Sequence, residues 1–231
     1  MVVREGFWSQ ERWERIAPLS GIVAVVLLVA GFLVFGLAGD RPGGDAAADE
    51  YLAYFRDDAG SLWVGSWIAF IGFAAFIWFL GSLRSMLFRA EGGVGRLASL
   101  AFAGGVAATI LLFASLATQI SGAIAADESE NLSAQTAEAL WWAGNGFFVA
   151  ATFALAILLA ATAIVVLRSR VLPVWFAWLS GVMALVALVP FISWALVIFV
   201  MPLWLIGLSL WLWRRYEPDQ AETRAPVAPP P

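Results

Sequence analysis

An all-helical, multi-span membrane bundle is the fold class this sequence predicts, and three observations predict it. The chain of 231 residues is 62% hydrophobic and only 13% charged, against roughly half and about a quarter in soluble domains. Its apolar residues come in uncharged blocks of roughly 20, the length a helix rising 1.5 Å per residue needs to cross about 30 Å of hydrocarbon. Its arginines are also shared unequally between alternate loops. The alternating ten-residue strands of a membrane barrel do not occur.

Composition narrows the chemistry. With no Cys there are no disulfides, thiol nucleophiles or iron–sulfur ligands. With no His the chain lacks the commonest general base, the usual haem and zinc ligand and the usual pH switch. An enzyme is therefore not expected, nor a metal site or a cofactor. All 13 basic residues are Arg and none is Lys, a bias that, with abundant Ala, Gly and Val, fits a GC-rich bacterial genome. A net charge of −4 with no basic face gives no nucleic-acid footprint.

Residues 1–16 place Arg4, Arg12 and Arg15 among Phe7, Trp8, Trp13 and Ile16. Ser9 as a cap, with Trp8 before it and Trp13 at the fourth helical position, has the spacing of a hydrophobic staple. This predicts a cytoplasmic amphipathic segment lying on the membrane surface. Span one follows over 17–38, with Pro18 in its first turn. It is longer than the 7–15 apolar residues of a secretory signal and is read as a retained span.

The loop 39–60 is acidic, carrying Asp40, Asp45, Asp49, Glu50, Asp57 and Asp58. Asp45 is the expected cap of a short helix reaching about Phe55, with Ala48, Leu52 and Phe55 on one face. Its carboxylates lack the alternate spacing and terminal Glu of a calcium loop, so a solvated surface is expected. Span two covers 61–83. The stretch 81–97 then holds Arg84, Arg89 and Arg96 against a single Glu91. Span three covers 97–121, and a loop with Asp127, Glu128, Glu130 and Glu138 but no Arg leads on. Asn131 or Ser133 caps span four, 139–167. Arg168 and Arg170 mark a tight turn. The 42 uncharged residues from 172 to 213 suffice for span five, 172–189, and span six, 191–213. Pro190 is the natural reversal point and Pro202 the expected kink. Arg214 and Arg215 stop the last span, and a Pro-rich tail, 216–231, is expected to be disordered.

Alternation puts eleven arginines on one side of the membrane and two, Arg41 and Arg56, on the other. Basic loops stay cytoplasmic. Six transmembrane helices with N- and C-termini in the cytoplasm, the bundle occupying 17–215 of a multi-pass protein of the cytoplasmic (plasma) membrane, are thus predicted. One internal similarity accompanies this pattern. Ala47-Ala48-Asp49-Glu50 recurs as Ala125-Ala126-Asp127-Glu128, and Leu62-Trp63 as Leu140-Trp141. A duplicated hairpin would explain it, and so would chance in an Ala-rich chain.

No charged residue falls inside a predicted span, which counts against ion-coupled transport. The most polar in-span side chains are Gln119 and Asn145, and alternation puts them at neighbouring depths in the outer half together with Ser66. Trp63, Trp67, Trp141, Trp142 and Trp194 share that half. Gln119, Asn145, Ser66, Trp67 and Trp142 are accordingly the candidate ligand-binding residues of an outward-facing aromatic pocket. The structural alternative is interhelical amides within the tryptophan belt of any membrane protein. Ala101-Gly105-Thr109 and Gly146-Ala150-Ala154 have the four-residue spacing that lets helices pack closely, within the chain or between two copies.

Trp13-Glu14-Arg15-Ile16-Ala17 leading into span one, Tyr51 and Phe55 in the long loop, Gly81-Ser82-Leu83-Arg84 leaving span two, and the Gly-rich span three together carry a resemblance. In these features the chain resembles a family of uncharacterised six-span bacterial integral membrane proteins, a domain of unknown function, over most of Ala17 to about Arg215. The resemblance implies the six-span fold and no activity. The expected function is a non-enzymatic scaffold or partner-binding membrane subunit. The alternative is a small permease or sensor for a neutral or lipophilic ligand. Expected partners are the lipid bilayer, with a protein partner or a second copy, and no nucleic acid.

Overall fold

The computed structural model describes residues 16–36, 41–128 and 132–214. The expected amphipathic segment before Ile16 and the Pro-rich tail lie outside the described residues. Among those described, every regular element is helical. We number them α1 (Ala17–Gly36), α2 (Ala48–Asp57), α3 (Ala59–Glu91), α4 (Arg96–Glu128), α5 (Ala134–Ser169), α6 (Val174–Ala187) and α7 (Pro190–Arg214). Five of them, α1, α3, α4, α5 and α7, are long and apolar enough to cross a membrane, the mark of a multi-pass membrane protein. The sixth apolar helix, α6, has 14 residues, about 21 Å at 1.5 Å per residue.

Local chemistry sets the ends of these helices. In α1 the chain enters through a 3-10 turn at Ala17–Leu19, with Pro18 where no amide partner is needed and Ser20 Oγ donating to Ala17 O at 2.6 Å. The cap expected from Asp45 is not made. Asp45 sits in the preceding turn, α2 starts after Ala47, and the Ala47 amide donates to the Glu50 carboxylate at 3.1 Å. Ser133 does cap α5, its hydroxyl accepting from Thr136 N at 3.2 Å.

The arginine stretch 81–97 is mostly helix rather than loop. Arg84 and Arg89 belong to α3, which ends at Gly92 in the left-handed region, φ +65°. The Glu91 carboxylate then reaches over the turn and accepts from Leu97 N at 3.2 Å and Ala98 N at 3.1 Å, satisfying the open amides of α4. Gly95, φ +68°, admits the Phe88 ring where a Cβ would collide. A helix of 33 residues is about 50 Å long, so α3 and α4 outrun any hydrocarbon layer.

Close backbone contacts join the helices into a ring. A methyl group at Gly31 of α1 would lie 2.8 Å from Gly65 O of α3. At Gly105 of α4 it would meet Leu80 of α3 at 2.7 Å, and at Gly104 it would meet Leu158 N of α5 at 2.8 Å. The α6–α7 hairpin closes on the Trp204 indole, which donates to Ser180 Oγ at 2.9 Å while its ring stacks on Phe176. Gly21 of α1 lies against Ser209 of α7 and completes the circle. Ala101, Gly105 and Thr109 are buried within these contacts, whereas Gly146 and Ala150 face outward. The two ends of the bundle differ. One holds Arg84, Arg89, Arg96, Arg168 and Arg170. The other, the acidic end, is covered by α2, whose Tyr51, Tyr54 and Phe55 are buried beneath it. The two Ala-Ala-Asp-Glu segments fall in unlike places, one at the start of α2 and one at the end of α4.

Candidate functional site

A cavity of about 640 Å³ lies within the ring toward the acidic end, inside the range of roughly 300–1,000 Å³ typical of small-molecule sites. Its walls come from α1, α3, α4, α5 and α7. The space has a physical origin. The Gly31–Gly65 contact seats that half of α1 on α3, while α1 meets α7 at the opposite end, through Gly21 and Ser209. In α7, Pro202 offers no amide, and the helix loosens into a π turn at Leu196–Val200, with Met201 N donating to Leu196 O. Val29 and Leu33 of α1 and Ile198 and Phe199 of α7 line the cavity and are also exposed. Arg41, Asn145 and Trp194, nearer the acidic end, line it and are exposed as well.

Most of the wall is apolar, and its polar groups are joined through one set of contacts. Ser115 Oγ donates to Gly144 O at 2.8 Å, fastening α4 to α5. Gly144 is bare because a methyl group there would lie 2.6 Å from Thr118 Oγ1 and 3.0 Å from Gln119 Nε2. Gln119 is 7% exposed, and its Oε1 is buried without a hydrogen-bond partner. Asn145 is exposed and spends an amide hydrogen on its own helix, Nδ2 donating to Trp141 O at 3.0 Å. The Trp141 ring lies edge-on to Tyr54 at 5.3 Å and tilted to Tyr51 at 5.7 Å. Tyr51 in turn donates to Gly43 O at 2.8 Å.

Arg41 brings the only charge among the described residues that line the cavity, its guanidinium carbon 4.9 Å from the centre of the Phe35 ring. The neighbouring Tyr54 hydroxyl is buried and lies close to the Arg41 guanidinium. Burial pushes its phenol up to about 12; Arg41 acts in the opposite direction and Asp58 adds to the rise. Burial, then Glu138, Glu50 and Asp45, also raise Tyr51. Among the described residues no three carboxylates gather as a metal site.

Of the five residues singled out from the sequence, Gln119 and Asn145 line this cavity and the other three do not. Ser66 is wholly buried, its hydroxyl without a hydrogen bond. It shares a helix face with the lining Phe73 but lies two turns nearer the acidic end. Trp67 falls on the far face of α3, half exposed against Trp63 and Phe70. Trp142 is one step, about 100°, around α5 from the lining Trp141 and points outside. Trp141 and Trp194, expected in the same half of the bundle, both line the cavity. Arg41, Phe35, the wall from α1 and the part of α7 beyond Trp194 were not among the expected lining residues. Pro202 in an uncharged span was the available signal for the last of these. Compared with known proteins, the chain matches no family model, no curated protein and no solved structure.

Proposed function

We propose that this is a six-span membrane protein, both termini cytoplasmic, that binds a lipophilic small molecule in the cavity beside Gln119 and takes it from the outer leaflet between α1 and α7. The acidic end faces outward in this reading, and α6 makes the sixth crossing, its ends reaching the interfaces through the flanking Arg170 and Pro190. The arginine asymmetry supports the orientation. The single observation that carries the function is the cavity itself, apolar-walled, with exposed lining residues on both α1 and α7. A scaffold or partner-binding subunit, the function expected from sequence, would be supported by a close-packed bundle. The cavity supports a sensor or carrier of a lipophilic ligand.

The test is photoaffinity labelling in lipid nanodiscs with a diazirine-bearing long-chain alcohol. Saturable labelling that maps to α1, α4, α5 and α7 is expected. Substituting Val29→Trp together with Ile198→Trp, at two exposed positions that tolerate bulk, is expected to remove it. Labelling spread over the lipid-facing surface and unchanged in this variant would refute the proposal.

A further inference from the structure

Resting on that reading, we infer that the occupant is a single-chain amphiphile with an anionic head. Its head is held by Arg41 beside Gln119, and its tail runs along the apolar wall toward Leu155 and Leu205. Charge complementarity carries the inference. Arg41 is the sole charged side chain among the described residues lining a cavity of otherwise aliphatic and aromatic walls. Its guanidinium stands at the acidic end, fixed over the Phe35 ring, where a head group at the membrane surface would meet it.

A second observation points the same way. Gln119 is more than nine-tenths buried, lines the cavity, and has a carbonyl oxygen with no hydrogen-bond partner. A buried amide left open in an apolar wall costs free energy until something polar meets it. The oxygen is sealed from the cavity as the side chain stands, and rotation of the amide turns one of its polar atoms toward a ligand head. Trp141, edge-on to Tyr54 at 5.3 Å, lines the same cavity as this amide and Arg41. The volume, about 640 Å³, accommodates one chain.

The route follows from the same charges. Asp45, Asp49, Glu50, Asp57 and Asp58 surround the acidic end, and they repel an anion arriving from water. An amphiphile already lying in the leaflet passes sideways between α1 and α7 with its head level with Arg41.

The test is competition against the same photoprobe by palmitate and by hexadecanol, equal in chain length and different in head. Palmitate is expected to compete roughly ten-fold better, the value of one charge-assisted hydrogen bond. Arg41→Gln should erase that preference and leave hexadecanol unchanged, while Arg41→Lys should retain most of it. Equal competition by the two in the wild type, blocked by the Val29→Trp and Ile198→Trp pair, would overturn the anionic head and leave the lipophilic cavity standing. No competition by either would overturn both.

Discussion

Gly31 and Gly65 face each other across the α1–α3 crossing. A methyl group on the first would lie 2.8 Å from the carbonyl oxygen of the second, and one on the second 2.9 Å from the carbonyl oxygen of the first. In lipid no hydrophobic effect draws helices together, so backbone proximity of this kind does much of the joining. It also holds α1 against α3 at the level where the cavity opens toward α7. Gly65→Val is therefore expected to destabilise the bundle by about 1–3 kcal/mol, the usual cost of overpacking. Gly146→Val, with nothing within 4 Å of the new group, should change stability by less than about 0.5 kcal/mol. Thermal unfolding of the two variants in one detergent checks the contrast, and equal losses would contradict it.

The Tyr54 phenol supplies a pH prediction. Its value in the folded protein, about 12, lies above the ordinary 10.0 because burial disfavours the phenolate. The folded state thus holds this proton more firmly than the unfolded chain. Its stabilising contribution is complete below pH 10 and is lost as the pH climbs through about 12. Wild type and Tyr54→Phe, unfolded thermally across that interval, should give diverging curves, with wild type falling faster. Parallel curves would show that Tyr54 does not carry the effect.

The threading can be checked residue by residue, since the chain has no Cys and every introduced one is unique. Asp45→Cys and Asp127→Cys in intact cells are expected to react with a membrane-impermeant maleimide. Gly93→Cys, at the opposite end of α3 and α4, should react only after the membrane is opened. Labelling of positions 93 and 127 from the same side would contradict the six-span arrangement.

The helical class was legible because uncharged blocks report where hydrocarbon lies. They do not report where helices end. The uncharged block of span two ends at Leu83, yet α3 runs to Glu91, where Gly92 in the left-handed region terminates it. Ser133 was readable as a cap from its type and place. Asp45 was not excluded as one, because Glu50 competes for the same amides from inside the helix. In the cavity, depth was legible and azimuth was not. Gln119 and Asn145 were found as polar groups at matching levels, while Trp67 and Trp142 share that level but point elsewhere. A span that is apolar all round carries no face signal. The α1–α7 opening depends on a glycine contact and a proline-induced π turn acting together, and neither residue alone announces it.

Closing that opening tests the account most directly. Leu33→Cys on α1 and Ile198→Cys on α7, both exposed and both lining the cavity, can be joined by a short bismaleimide in nanodiscs before the photoprobe is added. The joined protein is predicted to lose saturable labelling of the cavity, while each single variant treated with the same reagent keeps it. Undiminished labelling of the joined protein would contradict lateral access between α1 and α7.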